Sequence, residues 1–131
     1  MSNLRSWRAA LGAVVLVAAS TASLALEIKP FSADALSAAQ RGGQAVAVQF
    51  HADWCPMCRQ QTTVLNQLKT EPGLREVTVL VASFDNERAL RQRLNVRSQG
   101  TFVIFRGERE TARSSGDTAP DRIRTALQSA L

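Results

Sequence analysis

Residues 50–61, FHADWCPMCRQQ, contain both cysteines of the sequence, Cys55 and Cys58. An apolar run at residues 46–50 leads into this stretch, and a pattern typical of a helix follows it. Pro56 suits the first turn of that helix, where a missing N–H costs nothing. A helix N-terminus stabilises a thiolate. The stretch therefore predicts a redox-active dithiol at a strand-to-helix junction.

The first 25 residues have the pattern of a secretory signal peptide. Two arginines, Arg5 and Arg8, precede an uncharged run at residues 9–26, and Ser23 and Ala25 stand where small residues precede a cleavage site. We therefore expect cleavage and a mature domain at residues 26–131, in the periplasm or otherwise exported. The alternative is an uncleaved membrane anchor, although the strongly apolar part is short for a span of about 20 residues.

The mature chain has the length of one domain with a modest core. Without the two N-terminal arginines, 14 basic residues face 11 acidic ones. The densest basic segment is one predicted helix and the loop after it, which contain Arg88, Arg91, Arg93 and Arg97. These arginines are interpreted either as a solvated helix face or as a docking patch for an acidic partner. Nucleic-acid binding is not expected, because no aromatic residues interleave with these arginines.

Export affects how the cysteine pair is interpreted. Disulfides persist outside the cytoplasm, and a structural disulfide stabilises most when it closes a long loop. Cys55 and Cys58 close a very short one. A readily exchanged dithiol–disulfide pair fits this spacing better.

Periodicity and turn residues predict an α/β domain with the order βαβαβαββα. Ser32, then Asp85 or Asn86, then Asp117 or Thr118 are the expected N-caps of the first, third and last helices. Ile123, Leu127 and Leu131 are expected on the buried face of the last helix. The strands are predicted at residues 28–31, 45–51, 77–84, 101–105 and 110–114, and the other helices at 33–41, from 55 or 56 to about 69, and 87–94.

The strand at residues 45–51 is predicted to be central in its sheet. Val46, Val48 and Phe50 point to one face, and Gln49 and His51 point to the other. Both faces of the strand are largely apolar, as in a strand covered on both sides.

From about residue 33 to residue 131, this layout resembles the thioredoxin family. The resemblance rests on residues 46–50, on the segment ADWCPMC at residues 52–58, and on residues 96–107 leading into a final hairpin. It implies a thioredoxin-like three-layer sandwich, in which helices flank a central mixed sheet, and thiol–disulfide oxidoreductase activity on protein disulfides. The ADWC form is also similar to exported domains of the disulfide-reductase and cytochrome-maturation type.

Position and resemblance give the same roles to the active-site residues. Cys55 is expected to be exposed and to attack as a thiolate, and Cys58 to be more buried and to resolve the mixed disulfide. Trp54 is expected to shield Cys55, and Pro56 to fix the turn. Met57 adds no charge and no strong donor, so we expect a dithiol that is less oxidising than the strongest exported oxidants.

Three positions depart from the family's pattern. Gln49 stands where many thioredoxins carry a buried aspartate that assists proton transfer, and Gln49 cannot titrate. His51, the only histidine, lies on the same strand face and either relays protons or is packed as a neutral ring. Gly100, before Thr101, stands where the family has a cis-proline facing the sulfurs. We expect a trans bond, open space and a free N–H there, which puts the family's mode of substrate docking in doubt.

The leading hypothesis is an exported protein-disulfide reductase or electron relay, expected to be monomeric. No flavin or nicotinamide motif is visible, so we expect no cofactor and a membrane thiol-electron transporter as electron donor. The alternative is a module that binds a soft metal such as Cu(I) through Cys55, Cys58 and Met57, with His51 as a further ligand. A redox-inactive binding module is disfavoured, since both cysteines are intact. The sequence leaves the substrate and the direction of electron flow open.

Overall fold

The computed structural model describes residues 15–16 and 25–131, and the predicted signal peptide lies almost entirely outside these residues. No helix within the described part is long and apolar enough to cross a membrane. The elements follow the predicted order. They are β1 Glu27–Pro30, α1 Ala33–Arg41, β2 Ala45–His51, α2 Pro56–Leu68, a short 3₁₀ helix Pro72–Leu74, β3 Val77–Ser83, α3 Arg88–Arg93, β4 Thr101–Arg106, β5 Arg109–Ser115 and α4 Pro120–Gln128.

The five strands form one mixed sheet in the order β1-β3-β2-β4-β5. Strands β1, β3 and β2 run parallel, and β4 and β5 pair antiparallel at the other side. Phe50 on β2 lies between Ala82 on β3 and Thr101 on β4. The end of the central strand therefore meets the end of β3 and the start of β4 at one edge of the sheet.

Helices cover both faces of the sheet, which confirms the three-layer prediction. On one face, α2 and α4 pack against inward side chains such as Ala47 and Ile104. On the other face, α1 and α3 pack against Val46, Val48 and Phe50. Alternate residues of β2 point to the two faces of the sheet. The predicted orientation of β2 is therefore confirmed.

Only one of the three predicted N-caps forms. The Ser32 hydroxyl accepts the N–H of Ala35 at 3.0 Å, as expected. Helices α3 and α4 have no side-chain cap, so the caps predicted at Asp85 or Asn86 and at Asp117 or Thr118 are wrong. The two aspartates bind other partners instead, Asp85 the Trp54 indole and Asp117 the Ser114 hydroxyl and Arg122.

The end of the last helix also differs from the prediction. Ile123 and Leu127 are buried, but Leu131 is 54% exposed. Helix α4 ends at Gln128, so the i, i+4 spacing no longer places residue 131 on the buried face. Ala130 is buried near the chain end instead.

Candidate active site

The cysteine pair begins helix α2 at the sheet edge just described. Cys55 is the N-cap residue, with extended backbone (φ −94°, ψ 111°), and Pro56 is the first helical residue. The Cys55 sulfur accepts the backbone N–H of Cys58 at 3.2 Å. This contact supplies one of the N–H groups that a helix N-terminus offers to an anion. The predicted start of the helix is confirmed.

Both sulfur-bearing residues are buried, which corrects one expectation. Cys55 is 3% exposed and Cys58 0%, so the prediction of an exposed Cys55 is wrong. Because the Cys55 side chain turns back over the first helical turn, it joins a small cluster with Ala52 and Cys58. Met57 and Phe84 pack against this cluster. Cys55 therefore presents little exposed surface to a substrate sulfur.

The inner cysteine holds its proton tightly. Burial, followed by the hydrogen bond with Cys55, raises the pKa of the Cys58 thiol from 9.0 to about 11. Burial disfavours the charged form of a thiol. Both cysteines are free thiols in this structure. Cys58 therefore needs a proton acceptor before it can attack at neutral pH.

Hydrogen bonds join the residues beside Cys55 to the turn before α2 and to the segment that follows β3. Trp54 is 58% exposed, and its indole N–H donates to the Asp85 carboxylate at 2.8 Å. The Arg59 guanidinium donates to the backbone carbonyl of Asp53 at 2.8 Å. The predicted shielding of Cys55 by Trp54 stays a prediction. The sequence analysis missed Asp85, which lies 31 residues from its partner.

Gly100 has a trans peptide bond, as expected, since the described residues contain no cis bond. The other two expectations for it are wrong. Its N–H is not free but donates to the Phe50 carbonyl at 2.8 Å. Its carbonyl accepts from Gly116 N–H at 3.0 Å and from the Gln61 amide at 2.9 Å.

The space beside Gly100 is filled by Met57. A Cβ atom on Gly100 would lie 2.4 Å from the Met57 sulfur and 2.9 Å from its terminal methyl group. Gly100 also has a φ of +73°, a conformation that glycine adopts without strain. The missing side chain at position 100 therefore makes room for the methionine between the two cysteines.

One residue of this loop keeps its backbone groups available. Gln99 makes no hydrogen bond with any residue that the structure describes. Thr101, the first residue of β4, is buried and donates to the Ser98 carbonyl at 2.8 Å. The loop is thus held on both sides of Gln99, while Gln99 itself offers a free N–H and a free carbonyl.

Gln61 is a site residue that the sequence analysis missed. It is 0% exposed, and its amide donates to the carbonyls of Gly100 and Asp117 at 2.9 and 2.8 Å. Its oxygen accepts the Gln49 amide at 3.3 Å. Its position three residues after Cys58, on the face that also buries Leu65 and Leu68, was the available signal. A polar residue in an apolar stripe indicates a buried hydrogen-bond network.

Gln49 and His51 line a cavity of about 200 Å³ between β2 and α2. Thr62 of α2 lines it too, and the Thr62 hydroxyl donates to the backbone carbonyl of Cys58 at 3.2 Å. The Gln49 oxygen and His51 Nδ1 are both buried and have no hydrogen-bond partner among the described residues. Two residues that line the cavity, close to the helical turn that bears Cys58, therefore each contain an unsatisfied polar atom.

The hydrogen bond of His51 indicates which ring nitrogen carries the proton. His51 Nε2 lies 2.9 Å from the carboxylate of Asp53, a fully exposed side chain. A carboxylate group accepts hydrogen bonds, so Nε2 is the donor in this pair. When the ring carries a single proton, this hydrogen bond places the proton on Nε2 and leaves Nδ1 as an acceptor.

The described residues contain no group of three or more histidines, cysteines, aspartates or glutamates that could hold a metal ion. His51 thus does not join Cys55 and Cys58 in such a group. Two thiolates alone make an incomplete site for zinc. Met57 packs against the two cysteines, and the soft-metal alternative that combines the three residues stays a prediction.

The comparisons with known proteins match this fold and site. Residues 29–129 match the family model for thioredoxin. Thioredoxin from Chlamydia trachomatis is 34% identical over 71 residues, which cover 54% of this chain and 68% of that protein. Thioredoxin-1 from Drosophila yakuba is 32% identical over 71 residues, or 54% of this chain and 65% of that protein.

Solved structures agree with the sequence relatives. The protein Trxlp from Edwardsiella tarda superposes with a TM-score of 0.73 at 35% identity, covering 77% of this chain and 98% of that one. Thioredoxin from Malassezia sympodialis shows the same fold, with a TM-score of 0.68 at 21% identity over 78% of this chain and 91% of that one. The chain therefore belongs to the thioredoxin family, and its Cys55–Cys58 pair is the active site of a thiol–disulfide oxidoreductase that acts on protein disulfides.

Proposed function

We propose that this thioredoxin acts outside the cytoplasm as a protein-disulfide reductant or electron relay, supplied with electrons by a membrane thiol transporter. The signal-peptide pattern at residues 1–25 supports the location. The absence of a nicotinamide or flavin motif from the sequence supports a thiol donor in place of a soluble cofactor.

The roles of the two sulfurs follow from their places on α2. Cys55 Sγ attacks one sulfur of the substrate disulfide, and the other substrate sulfur leaves as a thiolate. Cys58, once deprotonated, attacks Cys55 Sγ, which closes the Cys55–Cys58 disulfide and releases the second substrate thiolate. Two electrons pass from the dithiol to the substrate, and the protons of the dithiol end on the substrate thiols or in solvent.

The environment of the Cys55 sulfur supports the reducing direction, and this single observation carries the proposal. The sulfur accepts one backbone N–H and has no hydrogen bond from a cationic side chain. Met57 packs beside it and offers no charge. Strong oxidants stabilise their reduced form, which requires a strongly stabilised thiolate. Beyond the helix N-terminus, the site offers the Cys55 sulfur only the uncharged Cys58 thiol as a hydrogen-bond partner among the described residues.

Trapping and potentiometry test the proposal. We expect Cys58→Ser to accumulate mixed disulfides with substrate proteins, while Cys55→Ser accumulates none. We also expect the Cys55–Cys58 pair to have a reduction potential near about −270 mV, the value typical of thioredoxin. The strongest periplasmic oxidant, at about −120 mV, should lie far from it. A potential on the oxidant side, or trapping only through Cys58, would contradict the proposal.

Cell fractionation tests where the protein acts. Full-length protein expressed in a bacterium with a periplasm should be recovered from the periplasmic fraction with Leu26 as its first residue. Recovery of unprocessed protein in the cytoplasmic fraction would contradict export, and unprocessed protein in the membrane fraction would support the anchor alternative.

As part of the same function, we propose that His51 takes the Cys58 proton through a water molecule shared with Gln49. The Gln49 oxygen and His51 Nδ1 have no partner and belong to two residues that line one cavity, and a water molecule has two O–H groups to donate. The charged residues lining the two cavities that include His51 are Asp53 and Asp85, both acidic. No lysine or arginine lines either cavity.

The pH dependence of the resolution step tests this role of His51. A mixed disulfide between Cys55 and a small thiol is formed first, and its resolution by Cys58 is timed in a single turnover. We expect His51→Gln to slow this step about a hundredfold at pH 7, within the range of general base catalysis, and less at high pH. The Cys55 attack, timed in Cys58→Ser with and without His51→Gln, is the matched control. An equal loss in both steps, or none, would contradict the relay.

A further inference from the structure

Helix α3 and the loop after it carry four arginines without ion-pair partners. Arg88, Arg91, Arg93 and Arg97 make no salt bridge with any described residue. Three arginines elsewhere in the chain, Arg113, Arg122 and Arg124, do have carboxylate partners. These four guanidinium groups are therefore not paired with a carboxylate within the described part of the fold.

Three of these arginines line one concave surface, which we name the arginine groove: Arg88, Arg91 and Arg97. The groove has a volume of about 350 Å³, and the uncharged residues Gln92, Asn95 and Val96 complete its lining. No acidic residue lines it. Three converging positive charges in a concavity concentrate the field more than the same charges spread on a convex face.

Arg91 is held in place within the groove. Its guanidinium carbon lies 4.1 Å from the centre of the Phe84 ring, a cation–π contact. Its Nε is buried and has no hydrogen-bond partner among the described residues. A buried donor without a partner costs free energy until an acceptor reaches it. The groove therefore contains a fixed cation with a hydrogen-bond donor left unused.

The arginine groove adjoins the dithiol. Phe84, whose ring makes the cation–π contact with Arg91, packs against the Cys55–Cys58 cluster. Arg97 belongs to the loop that continues to Gln99 and Gly100 beside the active site. A polypeptide whose sulfur reaches Cys55 can thus lie along the loop and extend into the groove.

We propose that the arginine groove docks an acidic segment of the protein that exchanges disulfides with Cys55. The proposal rests on the proposed function, because it assigns the groove to a partner of the same dithiol. Arginine forms paired hydrogen bonds with carboxylates, and complementary charge raises the rate of encounter more than it slows release. The groove therefore selects partners that carry glutamates or aspartates close to the reacting cysteine.

The test uses the full mature chain and three disulfide-linked peptides that differ only in their flanks: glutamates, lysines or glutamines. The second-order rate constant for reduction is measured for each peptide at low and at high salt. In the first variant, Arg88, Arg91 and Arg97 are all changed to Gln. The matched control changes Arg41, Arg75 and Arg109 to Gln, which removes the same charge near the opposite edge of the sheet.

We expect the wild-type protein to reduce the glutamate peptide roughly tenfold faster than the lysine peptide, at the low end of electrostatic steering. High salt should reduce this ratio, since screening shortens the range of the charges. The Arg88, Arg91 and Arg97 variant should bring the ratio close to one, and the control variant should keep it.

Each other outcome has a distinct meaning. Equal rates for the three peptides in the wild type would overturn the docking proposal and leave the proposed function intact. If the groove variant keeps the wild-type ratio of glutamate-peptide to lysine-peptide rates, the arginine groove is not the docking site. The same conclusion holds if the ratio falls as much in the control variant as in the groove variant. If the groove variant no longer binds phosphatidylglycerol vesicles but keeps the wild-type ratio of peptide rates, the groove binds a membrane surface. That outcome would also overturn the docking proposal. Failure to reduce any peptide would contradict the proposed function itself.

Discussion

At the scale of single residues, the raised pKa of the Cys58 thiol, about 11, makes the stability of the reduced protein depend on pH. Below pH 9 the folded and unfolded chains both hold this proton. Between pH 9 and 11 the unfolded chain releases it while the folded chain retains it, so rising pH favours unfolding. A shift of two pKa units corresponds to about 2–3 kcal/mol.

We therefore expect the free energy of unfolding of the reduced protein to fall between pH 9 and 11. This fall should exceed the fall in Cys58→Ser by about 2–3 kcal/mol. Urea denaturation in the presence of a phosphine reductant measures both proteins. The sequence has no tyrosine, and its two lysines are common to both proteins. Parallel pH profiles for the two proteins would show that Cys58 is not buried as described.

The residues that the sequence predicted well are those whose environment is local. The start of α2 at Pro56, the alternation along β2 and the buried place of Cys58 all follow from neighbours within a few positions. The residues that it missed are fixed by distant partners. Gln61 bonds to residues 39 and 56 positions away, so no local pattern reveals both of its contacts.

At the scale of secondary-structure elements, turn residues placed the boundaries well but the caps poorly. Ser32 caps α1 because no distant group takes its hydroxyl. Asp85 and Asp117 have the same local chemistry, yet the Trp54 indole and the Ser114 hydroxyl bind them. A cap contributes about 1 kcal/mol, so another strong hydrogen bond readily replaces it.

The same competition explains why the Gly100 loop was mispredicted. From the sequence, a glycine suggested open space and a free N–H. In the fold, the start of β4 lies beside the end of β2, and the Phe50 carbonyl takes that N–H. The positive φ of Gly100 then turns its carbonyl toward Gly116 and Gln61. Both consequences depend on strand pairing and not on residue 100 itself.

At the scale of the whole molecule, this loop is where the β4–β5 hairpin joins helix α2. Met57 lies against Gly100 and would contact a Cβ on Gly116 at 3.8 Å, and Gln61 bonds to Gly100 and Asp117. The antiparallel half of the sheet is thereby attached to the helix that carries the dithiol. The order of elements along the chain, the central place of β2 and the antiparallel hairpin followed from the sequence pattern, but this junction did not, since it joins segments far apart in the chain.

The junction makes a prediction about Gly100→Ala. The φ of +73° strains any residue with a Cβ, and the new methyl group also overlaps the Met57 sulfur, 2.4 Å away. Gly43 is the matched control, because its φ is +65° and an added Cβ meets nothing within 4 Å. We expect Gly43→Ala to cost about 1 kcal/mol through φ alone, and Gly100→Ala to cost about 2–4 kcal/mol because overpacking adds to the strain.

A double-mutant cycle separates these two contributions at Gly100. In a Met57→Ala background the overlap is gone, so Gly100→Ala should cost no more than Gly43→Ala does, and the coupling between positions 57 and 100 should be about 1–3 kcal/mol. Urea denaturation of the four proteins of the cycle measures this coupling. Because Met57 lies between the two cysteines, we also expect Gly100→Ala to change the rate of peptide reduction, and Met57→Ala to remove that effect. Additive costs for the two substitutions would mean that Met57 does not fill the space beside Gly100, and that the hairpin is joined to α2 through Gln61 alone.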